Sequence, residues 1–268
     1  MATATSVPII GGSGPGTVSG VIIPNKGEKD SPENIASLVS RDKLTKNTFY
    51  ITYGLLMTTA TITFIEALRT DIAAIRHIMN LETCISLVAG YFYSTFINTI
   101  QQSITDDKPI EPSTYQALNM TRYTDWAITT PIMLLALMLA LQFNKTGRGT
   151  IPFILYISII LLNYGMLGSG YAAETNIISK RDGLVFGFIF LFVMFGLIYS
   201  NFVMETKGKN WTINIILFTA VIILWSSYGG VYLVEDDATK NTYYNILDLS
   251  SKCLVGIFLW AFFTGILA

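Results

Sequence analysis

An aspartate and a lysine four residues apart interrupt an apolar run near the C-terminus, NILDLSSKCLVGIFLWAFFTG (residues 245–265). A helical rise of about 1.5 Å per residue sets Asp248 and Lys252 on one face, about 6 Å apart along the axis. A second run, TRYTDWAITTPIMLLALMLAL, places Arg122, Asp125, Thr129 and Ala136 on one helical stripe. A third, ILWSSYGGVYLVE, aligns Trp225, Tyr228 and Tyr232. Charges inside an apolar helix are costly unless paired, so Asp125, Asp248 and Lys252 are candidates for chemistry. A lysine amine held away from water can condense with an aldehyde, and the resulting iminium cation needs carboxylate counterions. Aromatic walls that include Trp126 suit a long, flat, conjugated ligand. The alternative, an ion pair that only pins helix packing, gives the aromatic stripes no purpose.

The elements that must hold these residues follow from composition. Of the 268 residues 51% are hydrophobic and 13% charged, against about 25% charged in a soluble domain, and mean hydropathy is +0.51. Seven apolar runs, near 48–69, 81–101, 120–142, 150–172, 181–203, 211–235 and 241–267, have the length of membrane-spanning helices. Short connections make sequential neighbours antiparallel. The expected fold is an all-α seven-transmembrane-helix bundle over 48–268, with the ligand pocket in its centre.

Residues 1–47 form a polar, glycine-rich tail that buries too little apolar surface to fold alone. It lacks the charged and apolar regions of a cleavable leader. Ser31 as N-cap and Pro32 at the first helical position predict one short surface helix ahead of the first span. A net charge of −1 and the lack of a basic stripe give no reason to expect a nucleic-acid partner. Cys84 and Cys253 lie in apolar runs and are expected to be inert buried thiols. No metal site is expected. Basic residues in short loops favour an outside N-terminus and a cytoplasmic C-terminus: Arg69, Arg76, Lys145, Arg148, Lys207 and Lys209 would face the cytoplasm. Arg41, Lys43 and Lys46 run against that bias.

RYTDWAITTP resembles the helix-3 signature of microbial (type 1) rhodopsins, and DLSSK resembles their helix-7 lysine signature. WSSYGGVY is similar to their helix-6 pocket motif, with Gly229 where proline is usual, and YNILDLSSK is closer to proteorhodopsins and xanthorhodopsins; the chain as a whole resembles proteorhodopsin-like, xanthorhodopsin-like or viral rhodopsins. The resemblance spans 48–268 and implies all-trans retinal bound to Lys252 as a protonated Schiff base. It further implies Asp125 as counterion and proton acceptor, Asp248 as second counterion, Arg122 as an outward gate, and Thr129 as a hydrogen-bond partner of Asp125. The implied retinal pocket is Tyr123, Trp126, Thr130, Met133, Met166, Gly170, Met194, Trp225, Tyr228, Tyr232 and Ser251. Met133, apolar at a colour-tuning position, implies green absorption.

The chain departs from the proton-pump pattern at Ala136, where the family's pumps usually carry a carboxylic cytoplasmic donor. Water or another group, such as Glu66, must then return the proton. Asp125 argues against a chloride pump, and the Asp125–Thr129 pair does not match a sodium pump. The leading expectation is a light-driven outward proton pump, with Glu235, Asp236 and Asp237 as a possible release group. The alternatives are a light-gated cation channel, suggested by Ala136 with Ser86, Ser94, Thr95, Asn98, Gln101, Gln102 and Asn245, and a photosensor acting through a partner. No enzymatic turnover is expected. Gly187 falls where xanthorhodopsin-like proteins open a window for a carotenoid antenna, and family resemblance also implies a homo-oligomer in a lipid bilayer.

Overall fold

The computed structural model describes residues 32–104 and 108–266. Seven helices run α1 (Pro32–Arg69), α2 (Ala73–Ser103), α3 (Pro112–Thr146), α4 (Phe153–Glu174), α5 (Lys180–Val203), α6 (Lys209–Tyr232) and α7 (Asp237–Phe263). Each packs on its sequential neighbour, α7 closes the ring against α1, and α3 also touches α6 and α7. Six of the seven are long and apolar enough to cross a membrane; α2 is the exception, because tyrosines, hydroxyl side chains and Glu82 lower its mean hydropathy. It packs between α1 and α3, and Glu82, Thr83, Ser86 and Tyr93 among those groups are buried.

Burial is arranged for lipid. Large apolar side chains point outward, as with Phe153 (75% exposed), Ile154 (81%) and Leu161 (65%), whereas Arg122, Asp125, Asn214, Asn241, Asn245 and Asp248 are fully buried. Within hydrocarbon every backbone polar group needs an internal partner. Pro131 inside α3 removes the N–H that would bond the Ala127 carbonyl. Tyr164 of α4 donates to that carbonyl instead, at 3.1 Å, so α3 crosses the proline unbroken. Helix ends are capped conventionally: Gly147 closes α3 at φ 69°, Ser179 accepts from the Asp182 N–H at α5, and Asp236 accepts from the Thr239 N–H at α7.

The helix expected ahead of the first span is not a separate surface element. Its Ser31 cap lies outside the described residues, and from Pro32 the chain continues unbroken into the span. The reason is packing. Asp42, 4% exposed, accepts from the Tyr115 hydroxyl and the Ile110 N–H, both at 2.7 Å, while Thr45 donates to the Ala238 carbonyl at 3.0 Å. This extension therefore docks on the adjoining ends of α3 and α7. Cys253 is buried as expected; Cys84 is exposed on the outer face of α2.

Candidate functional site

The charged side chains of α3 and α7 meet at mid-bundle. Lys252 Nζ donates to Asp125 Oδ2 at 2.7 Å and lies 3.6 Å from Asp248 Oδ1, with all three side chains essentially inaccessible. Lys252 sits in a π-helical turn, Leu249–Leu254, which widens the helix at this point. The two carboxylates differ sharply. Asp248 accepts from Tyr228 at 2.6 Å, from Tyr93 at 2.9 Å and from Arg122 at 3.4 Å. Asp125 Oδ1 has no hydrogen-bond partner. Thr129 does bond Asp125, but its hydroxyl donates to the backbone carbonyl at 2.8 Å rather than to the carboxylate.

Arg122 closes the side toward the N-terminal ends of α3 and α7. Its Nε donates to Asn241 at 3.1 Å and a second nitrogen donates to Asn245. The rings of Phe49, Tyr93, Phe96 and Tyr244 surround the guanidinium at 5.0 to 5.7 Å, an arrangement in which cation–π attraction adds to the hydrogen bonds. Beyond it Asn241 donates to Asn119, whose amide reaches Glu174 at 3.4 Å and Asp237 at 3.5 Å. The acidic cluster of the α6–α7 loop is therefore divided. Asp236 caps α7 and pairs with Arg41 at 3.1 Å, while Asp237 joins the chain of polar groups that leads to Arg122.

A cavity of about 130 Å³ extends from Lys252. Tyr123, Trp126, Thr130, Met133, Met166, Gly170, Trp225, Tyr228, Tyr232 and Ser251 line it, together with Tyr244, Gly187, Leu191 and Phe188. Met194 does not. It is fully buried in the adjoining core, and Leu191, nearly one turn earlier on α5, takes the wall position. Gly229 lets Phe188 close the cavity, since a Cβ there would stand 2.6 Å from the ring. A long, apolar, aromatic-walled slot ending at an amine flanked by two carboxylates fits a conjugated aldehyde bound through that amine.

Several partners were not visible in the motifs. Tyr93, Asn119, Asn241 and Tyr244 belong to residue types too common in apolar helices to stand out. Glu82 falls at the edge of the apolar run near 81–101, where a charge is inconspicuous; α2 begins at Ala73 and buries it to 4% exposure. Glu66, weighed as a proton source, lies one turn from the end of α1 beside Arg69, 3.9 Å away.

Known proteins resemble this chain over most of the bundle. The viral rhodopsin OLPVRII is 44% identical, with a TM-score of 0.74 over 83% of this chain and 99% of that one. Xanthorhodopsin, described as a light-driven ion pump with dual chromophore, shares the fold at 15% identity, with a TM-score of 0.64 over 82% of this chain and 92% of its own. Opsin-1 of Neurospora crassa is 30% identical over 150 residues, 52% of this chain, and the match spans 47% of that relative's length. The profile of the bacteriorhodopsin-like protein family matches residues 44–266, nearly the whole bundle, and the chain belongs to that family.

Proposed function

We propose that this integral, multi-pass membrane protein is a light-driven outward proton pump that carries all-trans retinal on Lys252. Family membership implies the retinal chromophore. The observation that carries the pump reading is the inequality of the two carboxylates. Asp248 has its oxygens occupied by two tyrosine hydroxyls and a guanidinium. Asp125 touches Lys252 Nζ at 2.7 Å and keeps a second oxygen unengaged, so it can take a proton from that nitrogen. Retinal, when bound, supplies a light-driven change in the direction in which the N–H at Lys252 points.

Once the contact with Nζ is broken, the proton resides on Asp125. Arg122 bars direct return of water from the outer side, and the Asn241–Asn119 relay toward Asp237 and Glu174 offers a release route. An N-terminus outside makes this direction outward. The polar residues that suggested a channel do not form a continuous lining: Asn98, Gln101 and Gln102 are exposed on the outer surface, and the Ser94 and Thr95 hydroxyls bond to the Tyr91 carbonyl of their own helix. A carotenoid against the cavity wall at Gly187, where a Cβ would meet nothing closer than 3.9 Å, is an additional expectation read out by energy transfer to retinal. Assembly as a homo-oligomer is read out by native mass spectrometry.

Illuminated cells or vesicles test the reading. Acidification of an unbuffered medium, abolished by a protonophore, is expected; alkalinisation or no change rejects the pump. Current recorded under voltage clamp is expected to keep its sign at every membrane potential, whereas a channel current reverses.

A further inference from the structure

The cavity at Lys252 must be filled by a long apolar molecule, and both ends of the bundle are shut to one. We infer that this ligand enters sideways from the hydrocarbon of the bilayer, through the seam between α5 and α6, and that Phe188 is the door across that seam. The inference rests on Lys252 as the retinal-bearing amine and adds the route by which retinal reaches it.

The ends are the first argument. Toward the N-terminal ends of α3 and α7, Arg122 is fully buried among the rings of Phe49, Tyr93, Phe96 and Tyr244 and donates to Asn241 and Asn245. Toward the opposite ends the Glu82 carboxyl rests on Gly256 of α7, where an added Cβ would stand 2.9 Å from Oε2. Leu137, Leu217 and Val221 border the little space left beside it. An apolar molecule would have to break one of these plugs, whereas it dissolves in the bilayer unaided. The cavity wall is overwhelmingly apolar, and the cavity is not fully enclosed.

The seams on either side of α5 are the second argument. α4 and α5 touch closely at two levels. A Cβ on Gly183 would stand 2.4 Å from Ala173 Cβ and 2.9 Å from the Ser169 carbonyl oxygen, and one on Gly165 would stand 2.7 Å from the Phe190 ring. Opening that seam means separating backbones. Between α5 and α6, Phe195 meets Phe218 and Trp225 edge-on at 5.8 and 5.7 Å, and Tyr199 meets Phe218 at 5.5 Å, toward the connecting loop. Two turns nearer the start of α5 the contact changes in kind. There the tips of two side chains rest on Gly229 of α6: a Cβ added to it would lie 2.6 Å from the Phe188 ring and 3.5 Å from Leu184 Cδ1.

A ring in that position leaves by rotating about its own side-chain bonds, with no helix displaced. Phe188 stacks on Phe192 at 5.7 Å and 22°, and Phe192 is 56% exposed on the outer face, so the ring has an aromatic neighbour to swing toward. Lipid tails are as apolar as the protein interior, and turning a phenyl ring outward therefore forfeits packing without a hydrophobic penalty. Leu184, Phe188 and Gly229 all line the cavity, so the outward swing uncovers the slot that ends at Lys252. Glycine at 229 lets the door shut, because any side chain there would hold the ring away.

The test uses the full-length protein, prepared without retinal in lipid vesicles, with all-trans retinal supplied from a second population of vesicles. Loading is followed as growth of the visible band and as quenching of tryptophan fluorescence, which reports arrival beside Trp126 and Trp225. Phe188→Ala should load about 3- to 10-fold faster, the change expected when an aromatic contact is removed from a barrier. Phe190→Ala, on the α4–α5 seam, should load at the wild-type rate. A cleavable thiol crosslink between Leu184→Cys and Gly229→Cys, in a Cys84→Ser background, should stop loading, and cleavage should restore it in the same sample. The same crosslink made after loading should leave the colour in place. This pair decides the matter if Phe188→Ala does not fold. Loading through the crosslinked seam, an unchanged rate in Phe188→Ala, or acceleration by Phe190→Ala instead overturns the inference. A wild type whose tryptophan fluorescence is quenched but which never colours sinks the Lys252 reading instead, and leaves the route measurable.

Discussion

At the scale of single residues, the site is governed by how two aspartates share one cation. Both are near Lys252 Nζ, yet Tyr228 and Tyr93 donate to Asp248 alone. Replacing Asp125 by asparagine removes the proposed acceptor and is expected to cut light-driven acidification at least about 10²-fold, while Lys252→Ala is expected to stay colourless with added retinal. Initial rates of medium acidification and a visible spectrum check these outcomes. Tyr93 supports Asp248 and Asn245 together, at 2.9 and 3.1 Å. Tyr93→Phe leaves acceptors short of a donor in a dry interior and is expected to cost about 1–3 kcal/mol, read as a lower temperature of thermal bleaching. The motif residues Asp125, Asp248 and Lys252 announced this chemistry by their charge in apolar runs, and Tyr93 did not, since its role exists only through partners on α3 and α7.

At the scale of elements, α1 is the surprise. The sequence predicts a short surface helix ahead of the first span, and the chain instead runs as one helix whose extension is anchored through Asp42 and Thr45. Asp42→Ala strands the Tyr115 hydroxyl and the Ile110 N–H, with an expected loss of about 2–4 kcal/mol, measurable as faster bleaching in detergent. The start of α7 adds a pH dependence. Burial alone would push the Asp236 carboxyl up, but hydrogen bonds from Thr239 and the charge of Arg41 outweigh it and hold the group below its ordinary 3.8. A depressed carboxylate stabilises the fold above its unfolded value, and that contribution is lost as pH falls through the folded one. Thermal stability is therefore expected to decline below about pH 4, and less so in Asp236→Asn.

For the whole molecule, apolar side chains fill the core and also cover the outer face, and the polar groups buried among them are unevenly distributed. Toward the N-terminal ends of α3 and α7 they form a hydrogen-bonded column from Asp248 through Arg122 and Asn241 to Asn119. On the opposite side Leu134, Leu137, Leu217 and Val221 leave mostly hydrocarbon around Glu82. Such a bundle resists a continuous wire of water, which is why a current of fixed sign is the expected electrical signature. The match with OLPVRII along 99% of that chain shows that the seven-helix frame is common to both.

The sequence by itself determined the helix count, the membrane setting and the central triad of Asp125, Asp248 and Lys252. These are legible because hydropathy acts over twenty residues at a time and a charge inside such a run is conspicuous. Tertiary structure alone decided which aspartate keeps an oxygen unengaged, that Thr129 bonds a backbone carbonyl, that Met194 yields its wall position to Leu191, and that Glu82 reaches α7. Each of these depends on which faces of distant helices meet. A side chain's polar partners in a dry core are set by that packing, and single-chain periodicity specifies only the face on which it waits.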